Sequence, residues 1–138
     1  MADSLVLDCS VTMCWCFESE SNPYADAVFK AVQAGNAMTP SIWPFEVANV
    51  LLVSERRNRL SEVAATQFLG ILKHLAIRVE PPPADDTLHV LLALAREHHL
   101  SVYDASYLEL ALRYGCPLAT LDNKLSRAAK ERRVPLFR

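Results

Sequence analysis

Glycine is scarce: the 138 residues contain three. That excludes a glycine-rich loop wrapping phosphate with backbone N–H groups, and neither G-x-G-x-x-G nor G-x-x-x-x-G-K-[ST] occurs. Long hydrophobic runs are missing too. The longest apolar stretch, residues 90–95, falls far short of the ~20 residues that cross a bilayer. No basic segment precedes the short apolar run at the N-terminus, which Asp3 and Asp8 flank, so no secretory leader is expected. The four cysteines, Cys9, Cys14, Cys16 and Cys116, form no paired C-x-x-C and find no histidine at zinc-binding spacing. They read as buried, reduced thiols of a cytoplasmic protein. Aromatic residues make up only 8%, so a platform of rings for stacking single-stranded bases is not evident.

What is present suits one folded domain. Hydrophobic residues reach 51% and charged residues 22%, enough for a real core and unlike a disordered polyelectrolyte. The net charge of −2 hides an asymmetry. Residues 124–138 carry Lys124, Arg127, Lys130, Arg132, Arg133 and Arg138 against the single acid Glu131. The rest of the chain holds the acidic excess.

Short apolar runs alternate with longer helical patterns. Residues 4–8 predict a strand with no polar alternation, as expected when both faces are covered. Further strands are predicted at 37–39, 77–80 and 118–121, with a possible edge strand at 135–137. A helix at 23–34 places Ala25, Val28, Phe29 and Val32 on one stripe. Another starts at Pro44 and carries Phe45, Ala48, Leu51 and Leu52. Ser61 is placed to cap a helix with Ala64, Phe68, Ile71, Leu72 and Leu75 on one face. A helix over 85–98 presents Leu88, Leu91, Leu92 and Ala95, one over 103–114 stops at Gly115, and the last spans 123–132. The alternation predicts an α/β fold with a central parallel sheet of four to five strands flanked by helices.

Four acids stand out by position. Asp8 ends the first strand and Asp122 follows the strand at 118–121. Glu46 and Asp104 lie in the first turns of their helices. Ligands of open α/β sheets bind at the carboxyl ends of strands. A helix N-terminus offers each acid ~0.3–1 kcal/mol. Two like charges ~4 Å apart repel by about 4 kcal/mol at an effective dielectric of ~20. Converging carboxylates therefore need protons or a cation, and hard oxygen donors favour Mg²⁺ or Mn²⁺ over zinc. Such an ion can activate water and stabilise charge on a phosphodiester. Taken singly, Glu46 and Asp104 read sooner as ordinary helix-capping acids than as catalytic ones; the joint pattern of two strand ends and two helix starts is what points to a site. Ser10, Asn49 and Thr120 are placed to orient the acids by hydrogen bonds; alternatively, Ser10 caps the next helix and Thr120 is a plain strand residue.

Four blocks carry a family resemblance: Val6-Leu7-Asp8-Cys9-Ser10 with Trp15 downstream; Pro44-Phe45-Glu46-Val47-Ala48-Asn49-Val50-Leu51; Tyr103-Asp104-Ala105-Ser106-Tyr107-Leu108-Glu109-Leu110-Ala111; and Pro117-Leu118-Ala119-Thr120-Leu121-Asp122. Together they resemble PIN-domain ribonucleases, and within that group the VapC toxins of VapBC toxin–antitoxin pairs. The resemblance spans essentially the whole chain, so residues 1–138 read as one PIN-like nuclease domain. It implies an endoribonuclease dependent on Mg²⁺ or Mn²⁺, with Asp8, Glu46, Asp104 and Asp122 as its acidic metal site. It also implies a homodimer and a cognate VapB-like antitoxin.

Lys124, Arg127 and Lys130 are candidate contacts to RNA phosphates. Arg56, Arg57 and Arg59 form a second basic cluster, suited to RNA or to an acidic antitoxin segment. Trp15, Phe17, Trp43 and Phe45 are either core or part of a dimer or antitoxin interface. Two other functions compete: a catalytically inactive PIN-fold module binding RNA or a protein partner, and a phosphotransfer domain with an aspartate nucleophile. The second lacks a D-x-D motif, since Asp8-Cys9-Ser10 offers no second acid.

Overall fold

The computed structural model describes residues 4–82 and 86–138. Within them four parallel strands form one sheet in the order β3-β2-β1-β4: β1 (Leu5–Leu7), β2 (Ala37–Pro40), β3 (Ile77–Glu80) and β4 (Leu118–Ala119). Helices α1 (Cys9–Cys14) and α2 (Pro23–Gln33), with a 3₁₀ turn at Glu18–Glu20 between them, connect β1 to β2. Helices α3 (Trp43–Arg56) and α4 (Glu62–His74) lead to β3, α5 (Thr87–His98) and α6 (Val102–Tyr114) lead to β4, and α7 (Asn123–Glu131) follows. The predicted start of the fifth helix at Asp85 lies outside the described residues.

Crossover helices cover a parallel sheet on both faces. Leu5, Val6 and Leu7 are accordingly all buried. Helix α6 lies across β1, β2 and β4 and is flanked in turn by α5 and α7. Its Ala105, Tyr107, Leu108, Leu110 and Ala111 are buried almost all round the helix, which makes it the centre of the core. The chain steps outward from β1 to β2 to β3 and then returns to lay β4 on the other side of β1. The carboxyl ends of β1 and β4 therefore flank the point where strand order reverses, the usual ligand-binding crevice of such sheets.

Local chemistry sets the helix ends. Asn22 accepts from Ala25 N at 2.8 Å, Ser61 from Ala64 N at 3.0 Å and Ser101 from Asp104 N at 3.0 Å, each satisfying an otherwise unpaired N–H. Gly115 ends α6 with φ of 64°. A Cβ there would meet no atom within 4 Å, so its cost is purely conformational. Gly115→Ala is expected to destabilise by about 1 kcal/mol. Urea titration should show a lower midpoint at constant slope; an unchanged midpoint would refute the assignment.

Several elements differ from the sequence reading. Strand β4 stops at Ala119 instead of Leu121; beyond it, side-chain hydroxyls take two backbone N–H groups, Leu121 N donating to Ser10 Oγ and Asp122 N to Thr120 Oγ1, both at 3.0 Å. The fifth strand at 135–137 shrinks to one parallel bridge between Leu118 and Leu136. Pro135 brings no N–H to that edge. The apolar face assigned to the Pro44 helix is also corrected. Helix α3 buries Trp43, Val47, Leu51 and Ser54, while Phe45 (72%) and Leu52 (43%) are exposed. On α5 the buried residues are Leu94 and Ala95, and Leu88 is 75% exposed. Ile71, placed on the inner face of α4, is half exposed. Both sides of these helices carry apolar residues, so spacing alone does not choose the stripe. Phe17 and Trp43 belong to the core and Trp15 packs against it, leaving Phe45 as the one of the four that faces solvent.

Candidate active site

Asp8 leaves β1 into α1 and is 5% exposed. Its Oδ2 accepts two short hydrogen bonds, from Ser10 Oγ and from Thr120 Oγ1, both 2.6 Å. Each hydroxyl in turn accepts a backbone N–H, from Leu121 and Asp122 respectively. An amide can only donate, so both hydroxyl protons are committed to Asp8. One carboxylate oxygen is thereby locked between β1 and β4. Ser10 does not cap α1, as the plainer reading had it, and Thr120 is more than a strand residue. Below the carboxylate, the Thr12 hydroxyl donates to the Asp8 carbonyl at 3.3 Å and accepts from Trp43 Nε1 at 3.0 Å, tying α1 to α3.

The other acids arrive from separate segments. Glu46 sits in the first turn of α3, half buried, and its Oε1 accepts a hydrogen bond from the Tyr107 hydroxyl. Asp104 sits in the first turn of α6, but Ser101 caps that helix, so the Asp104 carboxylate is not consumed in capping. Asp122 does cap its helix: Oδ1 accepts from Leu125 N at 2.9 Å.

The acids act on one another electrostatically. Burial raises Asp8 above the usual carboxylate range; the Ser10 and Thr120 hydrogen bonds oppose this, and the Asp122 charge adds to it. Burial also raises Glu46, against the Tyr107 hydrogen bond and with repulsion from Asp8 and Asp104. Asp104 is raised by burial and by the charges of Asp122 and Asp8, while the Ser101 hydrogen bond and Lys124 pull it down. Burial, with Glu46 and Asp8 nearby, pushes the Cys9 thiol up to about 12, so Cys9 stays a neutral packing group. As the side chains stand, no group of three or more His, Cys, Asp or Glu among the described residues is arranged to hold a metal ion. The donor set would suit a hard divalent cation better than a soft one: carboxylate oxygens that act on one another electrostatically, one of them held by two hydroxyls, with no thiolate or imidazole among them.

The remaining candidates separate. Asn49 is exposed and makes no hydrogen bond to the acids among the described residues. Lys124, Arg127 and Lys130 are exposed on α7, and of these Lys124 acts on Asp104. Arg59 is occupied by Glu20 at 3.0 Å and lies 4.5 Å over the Phe17 ring. Tyr107 was missed by the sequence reading. An aromatic residue one turn after Asp104 looks like core, and Tyr107 is core, yet its hydroxyl reaches Glu46.

Residues 5–131 match the sequence profile of the PIN domain. The chain belongs to the PIN-domain family. Across 122 residues, 88% of the chain, it is 32% identical to ribonuclease VapC3 of Pyrobaculum aerophilum, covering 92% of that protein. The PIN fold seen here superposes on PAE2754 of the same organism with a TM-score of 0.72 at 24% identity, covering 93% of this chain and 81% of that one. It superposes on Mycobacterium tuberculosis VapC20, described as a toxin that cleaves the sarcin-ricin loop, at 0.64 and 20% identity, covering 91% and 95%. A toxin–antitoxin complex from Klebsiella pneumoniae gives 0.60 at 17% identity, covering 88% of each chain. At those identities the structural likeness is one of PIN fold.

Proposed function

We propose that the protein is an endoribonuclease dependent on Mg²⁺ or Mn²⁺, the toxin of a type II toxin–antitoxin pair, which hydrolyses RNA phosphodiester bonds at Asp8, Glu46, Asp104 and Asp122. The observation that carries this reading is that four acids from four separate segments repel one another at the carboxyl edge of one sheet. The 32% identity to a VapC ribonuclease supports it. A divalent ion bound among these acids would supply a Lewis acid for the phosphoryl oxygen and a more acidic water. The protein's own groups do the rest. Ser10 and Thr120 fix Asp8 Oδ2, and Tyr107 fixes Glu46 Oε1. Burial and mutual repulsion make Glu46 and Asp104 stronger bases than free carboxylates for accepting a proton from water. Lys124, Arg127 and Lys130 contact flanking RNA phosphates.

The same reading includes a homodimer and a VapB-like antitoxin. The exposed apolar residues Phe45 and Leu52 of α3, with Val63 and Leu69 of α4, support an interface for such partners. Among the described residues no helix is long and apolar enough to cross a membrane.

The test is RNA cleavage by purified protein with Mg²⁺ or Mn²⁺ and with a chelator. Cleavage that appears with the metal and stops with the chelator is expected. Binding of RNA with no cleavage under either metal would replace the nuclease by the inactive PIN-fold module.

A further inference from the structure

Three of the four acids directly follow an exposed apolar side chain. Phe45 precedes Glu46, Tyr103 precedes Asp104 and Leu121 precedes Asp122, and they are 72%, 60% and 41% exposed. An apolar side chain stabilises a fold by leaving water, and the two rings have hardly left it. Neither Phe45 nor Tyr103 meets another ring or a cation among the described residues. Of the exposed apolar residues of α3, Phe45 stands in the turn that carries Glu46, while Leu52 lies ~10 Å further along the helix.

The fold brings the two rings to one edge. Phe45 and Tyr103 occupy the first turns of α3 and α6, and consecutive Cα atoms are about 3.8 Å apart, so each ring starts beside its acid. Glu46 and Asp104 repel one another, and Ile42 and Tyr103 line one cavity, so the two helix starts adjoin. The charged members of that cavity are paired with one another. Glu109 is held by the parallel fork of Arg113 at 2.9 and 3.0 Å, and Glu80 accepts from the Tyr114 hydroxyl at 2.8 Å and lies 3.4 Å from Arg78 Nε. None of these carboxylates is left over to read a base edge. Lys124, which acts on Asp104, brings the basic side of α7 to the same place. Lys124 and Arg127 form no ion pair among the described residues.

We infer that Phe45 and Tyr103 are stacking platforms for two bases of single-stranded RNA, one on either side of the phosphodiester at the acids, with little preference among bases. The inference rests on the ribonuclease reading and adds how that site takes its substrate. Unpaired RNA is held through splayed-out bases that stack on aromatic rings. Every base has a flat face, so such stacking tolerates any sequence. The free cations of α7 suit the phosphates of the same strand, which favours an occupant that is both flat and anionic. Composition alone hid this feature, because aromatic residues are few; two exposed rings at one edge suffice.

The test is binding, measured by isothermal titration calorimetry in chelator at low ionic strength so that nothing is cleaved. One titrant is a short single-stranded RNA of mixed sequence. The other has the same length and phosphates, but its sugars carry no bases. The acids and α7 act equally on both, so the difference reports the bases. The RNA is expected to bind about tenfold tighter or more. Phe45→Ala and Tyr103→Ala, both at exposed positions, should each weaken RNA binding about tenfold and leave the baseless chain unaffected, while Tyr103→Phe keeps the parent affinity. Equal affinity for the two chains, binding of neither, or unchanged RNA affinity in both alanine variants would each overturn the inference. A change of oligomeric state in those variants with RNA affinity intact would also overturn it, and would assign the rings to a protein interface. Base-dependent binding by a protein that cleaves no RNA with Mg²⁺ or Mn²⁺ would sink the nuclease reading and leave the platforms standing. Cleavage by a protein indifferent to the bases would do the reverse.

Discussion

Asp8→Asn is expected to lower the rate of RNA cleavage by about 10³-fold while leaving the fold intact. A divalent ion contributes several kcal/mol of charge stabilisation to a phosphoryl transition state, and ~4 kcal/mol corresponds to ~10³-fold in rate. The substitution is sharper than a loss of one negative charge. The Ser10 and Thr120 hydroxyls are oriented by N–H donations from Leu121 and Asp122, so both must go on donating to residue 8. An asparagine can satisfy them only by turning its carbonyl oxygen to the place of Oδ2. Its NH₂ group then takes the place of Oδ1, replacing with a donor the one carboxylate oxygen left free of the two hydroxyls to bind the proposed cation. A neutral amide is also cheaper to bury than a carboxylate held at 5% exposure. The metal-free variant should therefore melt no lower than the parent. Loss of cleavage with retained melting temperature is the expected pair of results. Cleavage within tenfold of the parent, in protein free of contaminating nuclease, would exclude Asp8 from the reaction.

The position of Asp8 was readable because an acid closing an uninterrupted apolar run marks the end of a covered parallel strand; Asp122 follows β4 by three residues, past Thr120, and caps α7. Asp104 was readable because a helix read from Tyr103 puts it in the first turn; the structure starts that helix one residue earlier, at Val102, with Ser101 as its cap. The network around Asp8 was only half visible. Ser10 and Thr120 are 110 residues apart, and that their hydroxyls share one oxygen depends on the β1–β4 register, Val6 opposite Leu118 and Leu7 opposite Ala119. No local pattern encodes that pairing. Tyr107 hides for the opposite reason, since a fully buried aromatic on a central helix satisfies every expectation of a core residue. Misreading the inner faces of α3 and α5 has a common cause. A helix with apolar residues on two sides, such as Trp43 and Val47 against Phe45 and Leu52, has its buried side chosen by its neighbours: for α3, by α1, which Trp43 Nε1 meets through Thr12. The exposed apolar side that results is what a partner surface requires.

The metal-free and metal-loaded proteins are expected to respond to acid in opposite directions. Asp8, Glu46 and Asp104 all titrate above their ordinary values, chiefly through burial, with repulsion among the acids adding to it. Between the ordinary carboxylate range and those raised values, the folded state binds more protons than the unfolded chain. Stability from these groups therefore falls as pH rises through that window and stays low above it. In chelator, lowering the pH from 7.5 to 5 removes part of this penalty. A bound divalent ion reverses the sign, because it needs the ionised form and must compete with protons. At a hundred times its dissociation constant, Mn²⁺ adds ~2.7 kcal/mol at pH 7.5, or about 10 °C in melting temperature for a chain of this size. That increment should shrink steeply by pH 5. Using the difference between the Mn²⁺ and chelator melting curves cancels the titration of groups remote from the acids. Asp104→Asn should raise the chelator curve at pH 7.5 and reduce the Mn²⁺ increment together, since one carboxylate is the source of both the repulsion and the binding. An increment that is absent at pH 7.5, or equal at both pH values, would mean that no divalent ion neutralises these acids, and the repulsion among them would then have to be relieved by protons alone.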